Sequence, residues 1–325
     1  MRFTNPTAFP ALAYECVDQH DEHFHVVAVR ISLDWRLKEG EGARGYRLVW
    51  SEYQEPLMMN DTWYGDPLTS SVHFESDLAP YKPRCDLVIH GHAHAPLGRP
   101  SRRWPVGVRV EAPREPESPL ALRPRNAPMD PVCERTLVVT GPRAWRYDAA
   151  SGWELTEAEP ALTAPLTYEH AYGGEHRPPP GGADAAAPGS APPGEPDPGE
   201  HIACPTNTVG CGYLPADAPA GLRRRLEQQG SLAAPRIEDP ADPIREIHRA
   251  HALQGFGFVS RHWQPRLALG GTFDEAWRKE RWPWLPRDFR FEYWNGAHPD
   301  LQIPHLAGGE AVTLLNLTPP DLPGS

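Results

Sequence analysis

The chain has no apolar run approaching the roughly 20 residues that a membrane-spanning helix needs, and its first residues, MRFTNPTAFPAL, lack a charged-then-apolar leader pattern. It has no C-x-x-C pair; its five cysteines (Cys16, Cys85, Cys133, Cys204, Cys211) are odd in number, which favours reduced thiols over a disulfide framework. A basic surplus is also missing. Lys and Arg total 32 against 43 Asp and Glu, a net charge of −11, so a phosphate backbone is excluded as a partner on electrostatic grounds. Neither G-x-S-x-G, a P-loop, H-E-x-x-H nor a strand followed by G-x-G-x-x-G occurs. No repeat with a period of 20–50 residues is present. These absences predict a cytoplasmic protein that binds neither nucleic acid nor membrane and needs no cofactor.

Proline and aromatic residues are plentiful instead. Proline takes 40 of 325 positions, well above an average near 5%, and it stops helices and is confined to sheet edges. Short elements and many loops follow. Eleven tryptophans and ten tyrosines supply a core or an anchoring surface. His23 to Leu33 alternates with period two, which predicts a half-buried strand with His23, His25, Val27, Val29, Ile31 and Leu33 inward and GYRLVW (45–50) as its hairpin partner. Further strands are predicted at 86–90, 104–110, 135–140, 266–269 and 311–317. The fold expected is mainly β, an antiparallel sandwich or curled sheets rich in loops, with a few short helices in a single domain over residues 1–325.

One predicted helix starts from Asp217 and stops at Gly230; another starts from the capping box Thr272-Phe273-Asp274-Glu275, with Phe273 and Trp277 one turn apart and Pro283 beyond its end. Residues 111–131 are rich in proline and charge, and residues 176–200 are more than half Pro or Gly with no aromatic. Neither buries enough apolar surface to offset backbone ordering, and the second reads as a mobile insertion in the single domain.

His90-Gly91-His92-Ala93-His94 is the sharpest enzymatic candidate, the array a metal-dependent hydrolase would use. On one strand the three rings share a face, but an extended chain carries His94 about 13 Å from His90, so one zinc ion takes two of them and needs Asp61, Asp86, His23 or His25 as well. The structural alternative is a strand end with hydrogen-bonded histidines, and it is preferred. His248 and His251 lack a partnering acid in register, and Tyr172-Gly173-Gly174 reads as a tight turn before it reads as an anion nest. The cluster Trp263, Trp277, Trp282, Trp284, Phe289, Phe291, Tyr293 and Trp294 is either sheet core or a Trp- and Arg-rich interface, with Trp282, Trp284, Tyr293 and Trp294 as the partner-binding candidates. A third reading is a β-rich glycan- or protein-binding module using exposed tryptophans such as Trp63.

Taken in order, the motifs resemble a bacterial family of unknown function encoded beside type VI secretion spike, PAAR-tip and effector proteins. They are Gly65-Asp66-Pro67, Ser76-Asp77-Leu78-Ala79-Pro80, Asp86, Gly91-His92-Ala93, Gly141-x-Arg143-x-Trp145 and Pro165-Leu166-Thr167-Tyr168-Glu169 running on to Gly173-Gly174. Ile237-Glu238-Asp239-Pro240, Trp263-x-Pro265-Arg266, Gly271 to Trp277 and Pro286-x-Asp288 complete the set. The resemblance implies a cytoplasmic, non-enzymatic adaptor or chaperone that holds an effector, often one with a PAAR-type tip, and helps load it onto the secretion spike. It assigns no catalytic residue. His90 stands where the family pattern has asparagine, His170 where it has arginine and Thr208 where it has proline, so the histidine array belongs to this chain and not to the family. The motif residues Asp77, Asp86, His92, Arg143, Trp145, Tyr168, Glu169, Gly173, Gly174, Trp263, Arg266, Asp274, Trp277 and Asp288 are expected to be structural, with the charged ones in buried pairs and caps.

Overall fold

The computed structural model describes residues 3–38, 45–114, 129–177 and 201–319. The fold is mainly β and distributed over many small sheets, none of which closes into a barrel among the described residues. Its largest sheet has four antiparallel strands in the order Ile237–Glu238, Met129–Thr140, Arg103–Pro113, Ala311–Leu315. Alternation in the Arg103–Pro113 strand explains the core. Trp104, Val106, Val108 and Val110 point inward, while Arg103, Pro105 and Arg109 face out. Leu137 and Val139 of the neighbouring strand join them, and Tyr168, Phe256, Trp263, Leu301 and Ile303 close this core from loops, short helical turns and the two-residue strand Gln302–Ile303. Each such side chain, fully removed from water, contributes roughly 1.5–3 kcal/mol.

A second core lies on a three-stranded sheet in the order Gly152–Leu155, Ala144–Asp148, Ser231–Ala233. Trp145 and Tyr172 pack there with Leu214, Ile244, Ile247 and the buried face (Leu222, Leu226) of the helix Ala220–Gln229. That helix ends at Gly230 in the left-handed region, φ 71°, as its position predicts. It begins later than predicted: Pro219 and not Asp217 is the N-cap, and proline fits the start of a helix because no N–H is needed there.

The N-terminal region corrects the sequence reading most. Ala11–Val17 pairs with His23–Val29, and a separate hairpin joins Leu33–Leu37 to Tyr46–Trp50. The inward face of His23–Val29 is Phe24, Val26 and Ala28; the predicted set, His23, His25, Val27, Val29, Ile31 and Leu33, is exposed. Both alternating sets are apolar enough to be buried. Contact with Phe291, whose ring lies 6.3 Å from that of Phe24, selects the other one.

Three further expectations change. Residues 266–269 form a helical turn, Arg266–Leu269, because the Arg266 guanidinium is drawn inward to Glu75. The strand at 86–90 shrinks to Cys85–Asp86; Leu87 and Ile89 donate their N–H groups to Leu301 and Phe256 carbonyls on loops, at 2.9 Å each. The helix after Thr272 is Glu275–Glu280, capped by Asp274 and not by Thr272, whose N–H and hydroxyl are held by Asp288. Strands reach Pro113 and resume at Met129 within the stretch 111–131 expected to lack structure, and 115–128 lie outside the described residues. In the same way His176 and Ile202 pair across the Pro/Gly-rich insertion, of which 178–200 lie outside the described residues. Among the described residues no helix is long and apolar enough to cross a membrane.

Candidate functional site

The histidine array does not assemble. His92–His94 is a short strand paired with Thr163–Pro165, but Gly91 at φ 155° turns His90 out of that strand, so the expected single face of three rings is absent. The His90 ring lies among Tyr64, His73, Phe74 and Phe258, and its Nδ1 shares a hydrogen bond with the Tyr64 hydroxyl at 3.1 Å. Burial, with His73 adding to it, lowers the His90 pKa to about 4, so the ring is neutral near pH 7. The additional ligands expected for a metal are engaged elsewhere: Asp61 with Arg261, Asp86 with Lys82, and His25 near Glu15. Among the described residues no group of three or more His, Cys, Asp or Glu side chains is placed to hold a metal ion. Trp63, the candidate for sugar stacking, is half-buried.

Most motif residues form the network that holds the loops. Asp86 accepts from Lys82 at 2.7 Å, Asn295 at 3.0 Å and the Gly296 and Ala297 N–H groups; burial raises its carboxyl pKa, but Lys82 and these bonds outweigh it and the net shift is downward. Arg143 bonds Glu238 at 3.0 Å and the Pro235 carbonyl at 2.8 Å. Glu169 accepts from both the N–H and the hydroxyl of Ser71 at 2.6 Å, and that hydroxyl accepts from the Tyr168 N–H. The Tyr168 hydroxyl donates to the Gly257 carbonyl, and its ring meets Trp263 edge-on at 5.6 Å. Asp77 accepts from the Met58 N–H and from Arg30, which anchors the N-terminal hairpins to the body. Gly173 (φ 153°) and Gly174 (φ 123°) follow Tyr172 against Asn207 and Gly210, where side chains do not fit.

One buried histidine and its half-buried acid carry no sequence signal. His251, without an acid in local register, places Nδ1 3.0 Å from Asp242 Oδ2; the ring is buried and its Nε2 meets no hydrogen-bond partner among the described residues. The adjoining cavity, lined by Tyr172, Asp239, Gln254 and others, has about 10 Å³ of free space, room for one water and not for a substrate. Glu75, which pairs with Arg266, and Asn295, which bridges Arg84 and Asp86, are likewise invisible in the sequence because their partners lie some two hundred residues away.

The aromatic candidates divide into two groups. Tyr293 and Trp294 are occupied inside the fold: Arg266 lies 5.8 Å from the Tyr293 ring centre and Arg261 5.4 Å from that of Trp294. Trp282 and Trp284 are 67% and 49% exposed, and Phe273 and Leu267 are open beside them in sequence. Their excursion is braced from within. Trp277 meets Phe273 edge-on at 4.8 Å and donates its indole N–H to the Trp284 carbonyl at 2.8 Å, while Arg281 and Arg287 both pair with Asp21. Over residues 272–290 five basic groups face four acidic ones, a balance of +1 on a chain of −11. Rigid indoles amid arginines in a charge-balanced patch are the composition of binding hot spots.

No curated protein and no solved structure matches the chain. A family match runs over residues 20–324, nearly all of the sequence and every motif named above, and the family is described as "Uncharacterized protein conserved in bacteria (DUF2169)". The chain belongs to this bacterial family.

Proposed function

We propose that the protein is a non-enzymatic adaptor that binds a type VI secretion effector, one linked to a PAAR tip, and helps load it onto the secretion spike in the cytoplasm. The observation that carries this reading is the braced excursion at 272–287, which presents Trp282 and Trp284 to solvent while Phe289, Tyr293 and Trp294 pack within the fold. Two indoles with roughly half to two-thirds of their surface open, on a backbone held by hydrogen bonds and neighbouring ion pairs, cost less chain ordering when a partner covers them. The motif order supports the secretion context through the family resemblance. The charged motif residues act as scaffold: they hold irregular loops so that the aromatic surface keeps its shape.

Co-expression with the effector or PAAR protein encoded next to it tests the proposal. The wild-type chain is expected to co-purify with that protein, and the double variant Trp282→Ala/Trp284→Ala to lose it while melting at an unchanged temperature. Retention of the partner by a folded double variant would contradict the assigned surface.

A further inference from the structure

The hairpin of Leu33–Leu37 and Tyr46–Trp50 adds nothing to either core, yet one of its faces is wholly apolar. Its register pairs Leu33 with Trp50, Trp35 with Leu48 and Leu37 with Tyr46 on that face, while Asp34, Arg36 and Arg47 lie on the other. Except for Tyr46, these apolar side chains are 41–63% exposed, although the Trp50 ring meets that of Phe9 at 4.9 Å. A two-stranded hairpin of this kind is marginal alone in water. Its order calls for a cover on the apolar face.

We propose that the cover is the same hairpin of a second copy of this chain. Each cross-strand row holds one leucine and one aromatic residue. A two-fold axis parallel to the strands, lying between two such faces, places the leucine of every row against the aromatic of the same row in the second copy, Trp35 against Leu48 and Leu48 against Trp35. Large meets small throughout, as a self-complementary interface requires. Size agrees as well. With an aromatic side chain offering about 150–250 Å², the exposed fractions amount to roughly 600 Å² per copy, or about 1,200 Å² in all, the lower end for specific complexes. Charge does not oppose the contact: residues 30–55 carry five basic groups against five acidic ones, a balance of zero on a chain of −11. This surface is separate from the one assigned to cargo, so the two proposals stand or fall independently.

Light scattering during gel filtration of the full chain at about 100 µM should give the mass of a dimer, as expected for an interface of this size. Trp35→Glu alone and Leu48→Lys alone should each be monomeric and still folded, because both side chains are exposed in the single chain and neither belongs to a core. An equal mixture of the two variants should recover a dimer. The axis then sets the introduced carboxylate at position 35 of one copy against the introduced ammonium at position 48 of the other, and the second pairing keeps its native Leu48 and Trp35. Arg36→Glu, on the polar face, should remain dimeric. A monomeric wild-type chain, or a dimer that survives Trp35→Glu, overturns the proposal; failure of the mixture to associate overturns the pairing of Trp35 with Leu48.

Discussion

Arg266 is the charged group on which the loop network depends most heavily. Its guanidinium is 3% exposed and meets Glu75 through Nη1 at 2.5 Å and Nη2 at 3.2 Å, the Tyr293 carbonyl through Nε and Nη2, and the Val259 carbonyl through Nη1. Arg266→Ala removes five donor contacts and leaves the buried Glu75 carboxylate with Arg261, at 3.7 Å, as its remaining counter-charge. Breaking one side of a buried ion pair costs about 3–5 kcal/mol, and a carbonyl stranded without a donor about 1–3 more. Rotation of Arg261 toward Glu75 recovers part of this, so the expected loss is about 4 kcal/mol from a total that is typically about 5–15. Urea unfolding followed by tryptophan fluorescence measures it as a lower midpoint at constant slope. Replacing both partners, Glu75→Gln with Arg266→Met, should cost less than the sum of the two single changes, with a coupling of about 1–3 kcal/mol. A loss below about 1 kcal/mol for Arg266→Ala would refute the view that this pair ties Glu75 to the Val259 and Tyr293 loops.

Three further outcomes are expected. The pKa of His90 in the folded chain, about 4, lies below its unfolded value of 6.5; below pH 6.5 the unfolded chain therefore takes up a proton that the folded chain refuses, and stability falls as pH drops from 6.5 to 4. With the ring partly open to solvent the full shift is screened to about 1–2 kcal/mol, and His90→Asn should flatten that part of a pH–stability curve. Gly173→Ala puts a methyl 2.3 Å from the Asn207 carbonyl oxygen, and should cost more than about 2 kcal/mol, whereas Gly152→Ala, where nothing lies within 4 Å, should cost about 1 kcal/mol for its φ of 79°; thermal melts of the two variants give the comparison. Burial pushes the Cys211 thiol up to about 12 despite Arg143 and Arg236 nearby, so iodoacetamide at pH 8 should leave it unmodified in the folded chain and label it in urea, as peptide mass spectrometry would show.

Strands with one apolar alternation were legible in the sequence. Arg103–Pro113 alternates Trp104, Val106, Val108 and Val110 with polar or small neighbours, and the sheet adopts that assignment. His23–Val29 carries apolar residues on both alternations, so period two predicts a strand and leaves its inner face to tertiary contact with Phe291. RLAL at 266–269 is too short for periodicity to separate strand from helical turn. Glu75–Arg266, Ser71–Glu169 and Arg143–Glu238 join residues about 95 to 191 positions apart, beyond any local pattern. The exposed pair Trp282 and Trp284 could be named from aromatic density, but Tyr293 and Trp294 belong to the same density and are drawn inward by Phe289, by each other and by Arg266 and Arg261.

The adaptor reading is tested most directly by purifying the tagged chain from a lysate of its native bacterium and identifying by mass spectrometry what comes with it, with metal analysis of the same eluate. The account predicts one dominant partner bearing an effector or PAAR-type tip domain, and no stoichiometric metal. A chain that returns without such a partner and with about one zinc per molecule would contradict it, and would return attention to His90, His92 and His94.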